Sequence, residues 1–171
     1  MRPSWDQHFL AIAQEVAKMS TCARRQVGCV LVDDRNVILA TGFNGVPHGF
    51  DHCRENPGYE CPGAKSPSGT NLDACLAIHS EQNALLHCSD ITRVRMVYCT
   101  TSPCIGCVKA ILASFATRIV FLETYPQSEA IELWTRYPFF SPNRPQASGH
   151  RTWERMRYDG TVEVLASSGL R

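Results

Sequence analysis

The sequence predicts an α/β fold built on a mixed sheet of about five strands. Three observations predict it. Two apolar runs, 27–32 and 37–43, flank the turn Asp33-Asp34-Arg35-Asn36 and read as a hairpin. Two further runs, 94–100 and 118–122, flank a helical pattern over 104–115 carried by Ile105, Val108, Ile111, Leu112 and Phe115. Strand, helix and strand with short joints make a right-handed crossover, so these two strands are expected to be parallel. A fifth run, 161–165, follows the turn Asp159-Gly160. The 171 residues suit a single domain over 1–171, and no linker, repeat or low-complexity block divides them.

The elements follow in order. Trp5, Phe9, Ile12, Val16 and Met19 recur at helical spacing behind Ser4, a good N-cap. A helix over about 4–20 is expected, with all five residues in the core. In the first strand Cys29 reads as a small buried hydrophobe. The segment from about 44 to 75 is an insertion crowded with Gly, Pro, Asn and Ser. So long a structureless stretch is unusual in a compact domain unless something pins it. His79 opens a helix to about Cys88, with Ala84, Leu85 and Cys88 facing inward, and Cys99 lies buried in the third strand. After 118–122 the expectations are a helix over 128–137, a loop with three prolines over 138–150, a short helix over 152–158 and a frayed tail from 166. The stretch 126–150 reads as a loop insertion.

Composition narrows the function. Apolar residues make up 44% and charged residues 19%, as in globular chains. The net charge is +1 with Lys and Arg scattered, which argues for a small substrate and against a broad nucleic-acid platform. No apolar run is long enough to span a membrane, and Met1-Arg2-Pro3-Ser4-Trp5 does not read as a signal peptide. Nine Cys, an odd count, with a C-x-x-C pair and no signal favour a reducing cytoplasm and thiolate-bound metal over disulfides.

The chemistry concentrates in His79-Ser80-Glu81 and Pro103-Cys104-Ile105-Gly106-Cys107, an H-x-E followed by a P-C-x-x-C. Either motif alone says little, since C-x-x-C is often a redox pair or a structural half-site. Together and in this order they are the signature of zinc deaminases. His79, Cys104 and Cys107 supply three zinc ligands and leave the fourth corner for water. Glu81, not a ligand, would take the water proton, deliver it to a ring nitrogen and protonate the leaving amine. Both motifs open helices, where the dipole favours thiolates and anions. A second thiol group stands apart: Cys53, Cys61 and Cys75 in the insertion, with Cys22 at the end of the first helix. Four thiols suit a closed, structural zinc that staples the insertion. His48 and His52 are alternatives to one member, and unligated thiols are the other reading.

With these parts in place, the chain resembles the cytidine deaminase-like superfamily, and within it the deoxycytidylate (dCMP) deaminases. The narrower resemblance rests on Gln26-Val27-Gly28-Cys29-Val30, on Gly42-Phe43-Asn44-Gly45-Val46-Pro47-His48-Gly49, similar to a G-[YF]-N-G-x-P-x-G loop, and on Glu123-Thr124-Tyr125. It covers about residues 5 to 125. It implies a three-layer α/β/α arrangement, Asn44 at the deoxyribose and Tyr125 packed at the base or nucleotide. It also implies a homo-oligomer, often a hexamer, activated by dCTP and inhibited by dTTP, that makes dUMP for thymidylate synthesis. Members with a Cys-rich insertion hold a second, structural zinc.

Ser80 departs from the resemblance, standing where Ala is usual, and being small it is expected to disturb neither ligand nor acid. Arg24 and Arg25 are candidates for the substrate phosphate, because a guanidinium grips phosphate with two hydrogen bonds. Solvated surface arginines are the competing reading. Two rival functions are weighed. One is another deaminase of the same fold, acting on dCTP, 5-modified dCMP, free cytosine or guanine, or tRNA adenosine. The other is a zinc-stabilised binding protein with a dead site, against which Glu81 speaks, since a structural site needs no such carboxylate.

Overall fold

Three parallel strands form the middle of the sheet, and an antiparallel hairpin or edge strand extends each side. The computed structural model describes residues 2–53, 61–63, 65–67, 70, 74–136 and 149–168. In chain order the elements are α1 (Trp5–Ala17), β1 (Gly28–Val32), β2 (Ile38–Phe43), α2 (Ser80–His87), a 3₁₀ turn (Ile91–Arg93), β3 (Met96–Thr101), α3 (Ile105–Ile111), β4 (Arg118–Glu123), α4 (Ser128–Thr135), β5 (Thr152–Met156) and β6 (Val162–Ser167). Among the described residues there is one six-stranded sheet, ordered β2-β1-β3-β4-β5-β6. The crossover from β3 through α3 to β4 is parallel, and β5 adds parallel to β4. The other pairs, β1 with β2, β1 with β3 and β5 with β6, are antiparallel.

Alternation along the strands separates two cores. Cys29, Leu31, Val97, Cys99, Ile119, Phe121 and Trp153 face α2, α3 and α4. Val30, Val32, Tyr98, Val120 and Met156 face α1. This is the expected α/β/α layering. Gly28 and Gly42 allow the helices to approach closely. A Cβ on Gly28 would lie 2.0 Å from the Ala13 carbonyl oxygen of α1, and one on Gly42 would lie 2.3 Å from Ala84 N and from Ser80 O of α2.

Three expectations are corrected. Residues 152–156 are a strand, not a helix. Glu154, Arg155 and Met156 have fair helix propensity, but tertiary pairing overrides it: Trp153 packs on Phe121 with ring centroids 5.6 Å apart, and Glu154 meets Arg118 beneath α1. That strand raises the count from about five to six. The tail is not frayed from 166, since β6 runs to Ser167; residues 169–171 lie outside the described residues. On α1 the buried face is Phe9, Leu10, Ala13 and Ala17. Trp5 and Met19 are 48% and 65% exposed, because the helix ends at Ala17 and its apolar stripe is centred one position away from them. All of the three-proline loop expected over 138–150 except residues 149 and 150 lies outside the described residues.

A bridging arginine locks α1 to the sheet. Arg118 on β4 holds Asp6 of α1 at 2.7 and 2.9 Å and Glu154 of β5 at 2.6 Å, while Tyr98 OH donates to Asp6 at 2.7 Å.

Candidate active site

The sheet presents both halves of the signature to each other. Gly45 and Ile78 exchange backbone hydrogen bonds of 3.2 and 2.9 Å, which ties the chain entering α2 to the loop leaving β2. Asn83 Nδ2 donates to Phe43 O at 2.7 Å, and the close contact at Gly42 seats the first turn of α2 on β2. His79 is therefore fixed in extended backbone just before α2, and Gln82 Oε1 accepts its N–H at 3.2 Å. On the other side, Ser102 N donates to Glu123 O at 2.8 Å and prolongs the β3–β4 pairing to the start of α3. Gln127 Oε1 accepts from Ile105 N at 3.0 Å, satisfying an amide that a helix start leaves without a partner.

The three predicted ligands converge. His79 Nδ1 lies 3.4 Å from Cys104 Sγ and 3.3 Å from Cys107 Sγ, and all three ligand atoms lie within 4.8 Å of one another. Zinc–sulfur and zinc–nitrogen bonds meeting at a tetrahedral angle put the two ligand atoms about 3.5 Å apart. The residues present thus fit a zinc ion with an open fourth position. Their electrostatics agree with the donor set. The Cys104 thiol is brought down to about 4, first by its hydrogen bond with Cys107 and then by His79. Cys107 is pushed up in return, as the partner that keeps the shared proton. His79 is raised by its hydrogen bond with Cys104, against its burial.

Glu81 is 4% exposed, and burial lifts its carboxyl above the ordinary range, with His79 opposing. A buried carboxyl that is easier to protonate suits a group that must accept and return a proton. Beside it, and unforeseen in the sequence, Ser80 is fully buried and its hydroxyl donates to Glu81 Oε2 at 2.9 Å.

A cleft of about 410 Å³ opens above these residues, within the range of small-ligand pockets. Asn44, Tyr125, Arg24 and Arg25 all line it. Asn44 braces the wall: its Oδ1 accepts from Val27 N at 2.8 Å and Ser20 Oγ at 2.7 Å, and its Nδ2 donates to Arg25 O at 2.8 Å. Arg24 donates to Pro67 O at 2.7 Å, and Arg25 lies 3.8 Å from Glu123. Thr101 and Ser102 also line the cleft and were not picked out from sequence. Their position two and three residues before Cys104 was the available signal. Ser102 Oγ accepts from Tyr125 N at 2.7 Å, fixing the backbone that carries that ring.

The second thiol group gathers without closing. Cys61 Sγ and Cys75 Sγ are 4.0 Å apart, close to the roughly 3.8 Å edge of a zinc tetrathiolate. Burial and hydrogen bonding with Cys61 raise the Cys53 thiol to about 11, in the field of Cys22 and Cys75. Among the described residues, however, His79, Cys104 and Cys107 form the one set of three ligand atoms that all fall within 4.8 Å. Cys22 and Cys75 also line the cleft, so the second group forms part of the pocket wall. His48 is exposed and His52 half-buried, and among the described residues neither is part of a three-ligand set.

Residues 3–123 match the family described as the cytidine and deoxycytidylate deaminase zinc-binding region. The chain belongs to this family. Among its relatives, the deoxycytidylate deaminase of Schizosaccharomyces pombe is 41% identical over 126 residues, 72% of this chain and 38% of that protein. The deoxycytidylate deaminase of Mycobacterium phage D29 is 40% identical over 124 residues, 70% of this chain and 95% of the phage protein. The chain thus spans about two fifths of the length of the yeast relatives, at 38% and 41%, but nearly all of the phage one. Among solved structures, the dCMP deaminase of cyanophage S-TIM5 in complex with dCMP and dUMP superposes with a TM-score of 0.61 at 26% identity, covering 80% of this chain and 93% of that one. The family match ends at β4, so α4, β5 and β6 lie beyond it.

Proposed function

We propose that this chain is a zinc-dependent hydrolase that deaminates dCMP to dUMP and releases ammonia. The observation that carries the reading is the His79, Cys104 and Cys107 cluster, of which His79 and Cys104 line the cleft together with the buried carboxyl of Glu81. When bound, zinc supplies a Lewis acid that makes water nucleophilic near neutral pH. Glu81 then moves the protons, first to the ring nitrogen and later to the departing amine. Tyr125 covers the base, and the second N–H of the Asn44 amide meets the sugar. Arg25 or Arg24 at the rim takes the 5′-phosphate. The substrate name comes from the relatives, and the glycine-rich loop and the two arginines support it.

The reading has further parts. Cys22, Cys53, Cys61 and Cys75 hold a second, structural zinc, supported by their convergence and by the 4.0 Å Cys61–Cys75 separation. The protein is a cytoplasmic homo-oligomer regulated by dCTP and dTTP, supported by family resemblance. No helix among the described residues is long and apolar enough to cross a membrane.

The test is a deamination assay of the zinc-loaded protein. It compares dCMP with CMP, deoxycytidine, dCTP and tRNA adenosine, each with and without dCTP or dTTP as effector. Turnover of dCMP well above the rest is expected. Preference for another substrate would keep the zinc chemistry and overturn the nucleotide. Silence on every substrate, with zinc bound, would move the dead-site reading to the front.

A further inference from the structure

We propose that Ser80 is a positioning residue for Glu81. Its hydroxyl would hold one carboxylate oxygen in place so that the other is aimed at the reacting base. This rests on the reading of Glu81 as the proton-moving group.

A glutamate has three side-chain torsions, the last of them broad, so burial alone does not aim its oxygens. A proton shuttle needs its oxygens held within a few tenths of an ångström of the atoms they serve. Among the described residues the hydrogen bond that holds the Glu81 carboxylate comes from the Ser80 hydroxyl, at 2.9 Å from Oε2. Ser80 is itself fully buried at the edge of the cleft, so water does not compete for that hydroxyl. Its backbone cannot drift either, because its carbonyl oxygen sits against Gly42, where even a Cβ would come within 2.3 Å. Donor, acceptor and backbone all belong to the first turn of α2, which the Gly45–Ile78 exchange and the Asn83–Phe43 bond pin to the sheet. An alanine at 80 would keep that helix and that contact but release the carboxylate.

The experiment compares wild type, Ser80→Ala, Ser80→Thr and Glu81→Gln, all zinc-loaded. It measures zinc content, Tm, affinity for the product dUMP, and kcat and KM on whichever substrate of the panel turns over fastest. For Ser80→Ala, kcat should fall about tenfold, the equivalent of one hydrogen bond to a charged group. KM, dUMP affinity, zinc content and Tm should hold. Ser80→Thr, which keeps the hydroxyl, should recover most of the loss. Wild-type kcat in Ser80→Ala overturns the proposal. So does a loss of zinc or Tm in step with kcat, which would make the hydroxyl structural. Glu81→Gln separates the two claims. If Glu81→Gln retains turnover, the role of Glu81 itself fails. If it is inactive while Ser80→Ala is unaffected, only the positioning role of Ser80 fails.

Discussion

His79, Cys104 and Cys107 hang from two helix starts that the sheet fixes, whereas Cys53, Cys61 and Cys75 hang from an insertion and Cys22 from the turn after α1. The first set brings three ligand atoms within 4.8 Å on backbone that the sheet and the two helix starts hold in place. The second brings Cys61 and Cys75 to 4.0 Å, with Cys53 hydrogen-bonded to Cys61 and Cys22 in electrostatic reach. The same donor chemistry thus has two sources of order. Backbone hydrogen bonding and packing build the catalytic set. For the insertion set, the proposed second zinc would supply the last step, as in small metal-stapled segments. Removing a ligand should accordingly cost chemistry at one site and stability at the other.

The largest effect tests the first half of that contrast. Cys107→Ala should abolish measurable turnover and remove one zinc per chain, while Tm falls by only a few degrees. The sheet, α2 and α3 hold their own contacts, so the vacated cluster leaves a scaffold behind. Metal analysis and a thermal melt on one preparation check it. A variant that unfolds would show that the catalytic zinc, too, builds structure.

The converse is Cys61→Ala. Zinc should fall from two per chain to one, with a stability loss of about 3 kcal/mol, or roughly 6–12 °C in Tm for a chain of this size. Because Cys22 and Cys75 also line the cleft and Arg24 is tethered to Pro67, KM should rise more than kcat falls. A wild-type preparation that carries one zinc would remove the second site from the account.

Gly42→Ala probes the scaffold directly. The added methyl meets Ala84 N and Ser80 O at 2.3 Å, and both are backbone atoms that cannot rotate away. Overpacking of this kind costs about 1–3 kcal/mol. Since α2 carries His79 and Glu81, kcat should fall along with Tm, whereas Cys61→Ala separates the two. Equal kcat in Gly42→Ala and wild type would mean that α2 can shift without loss of alignment.

The same contrast explains what could be read from sequence. His79, Glu81, Cys104 and Cys107 were legible because their chemistry demands fixed residue types at fixed spacing, and the flanking apolar runs show which helices carry them. The hairpin and the crossover were legible from alternation and turn residues. Strand β5 was not, because Glu154 earns its place through Arg118, a partner 36 residues away that no local pattern announces. Trp5 and Met19 were misplaced because helical spacing finds a stripe but not its centre. Ser80 read as inert because a hydrogen bond between neighbours in sequence depends on rotamers. Asn44 read as a sugar contact, and the structure adds that most of its amide braces the Ser20–Val27 wall.

The smallest expected effect concerns the ion cluster under α1, which steadies the sheet far from either thiol group. Burial would raise the Asp6 carboxyl, but hydrogen bonds from Arg118 and Tyr98 win and hold it below the ordinary carboxylate range. A group whose pKa is depressed on folding contributes stability above its unfolded pKa and loses it as pH falls through the folded value. Asp6→Asn should therefore cost about 1–2 kcal/mol at neutral pH. The gap to wild type should begin to close as pH drops through about 4. Zinc content and turnover at pH 7 should match wild type, since α1 packs on the sheet face opposite α2 and α3. Urea melts at a series of pH values read the gap directly. A gap that stays constant into acid would mean that Asp6 stabilises by shape and not by charge. A fall in turnover at unchanged zinc would mean that the α1 face and the catalytic face communicate through the strands between them.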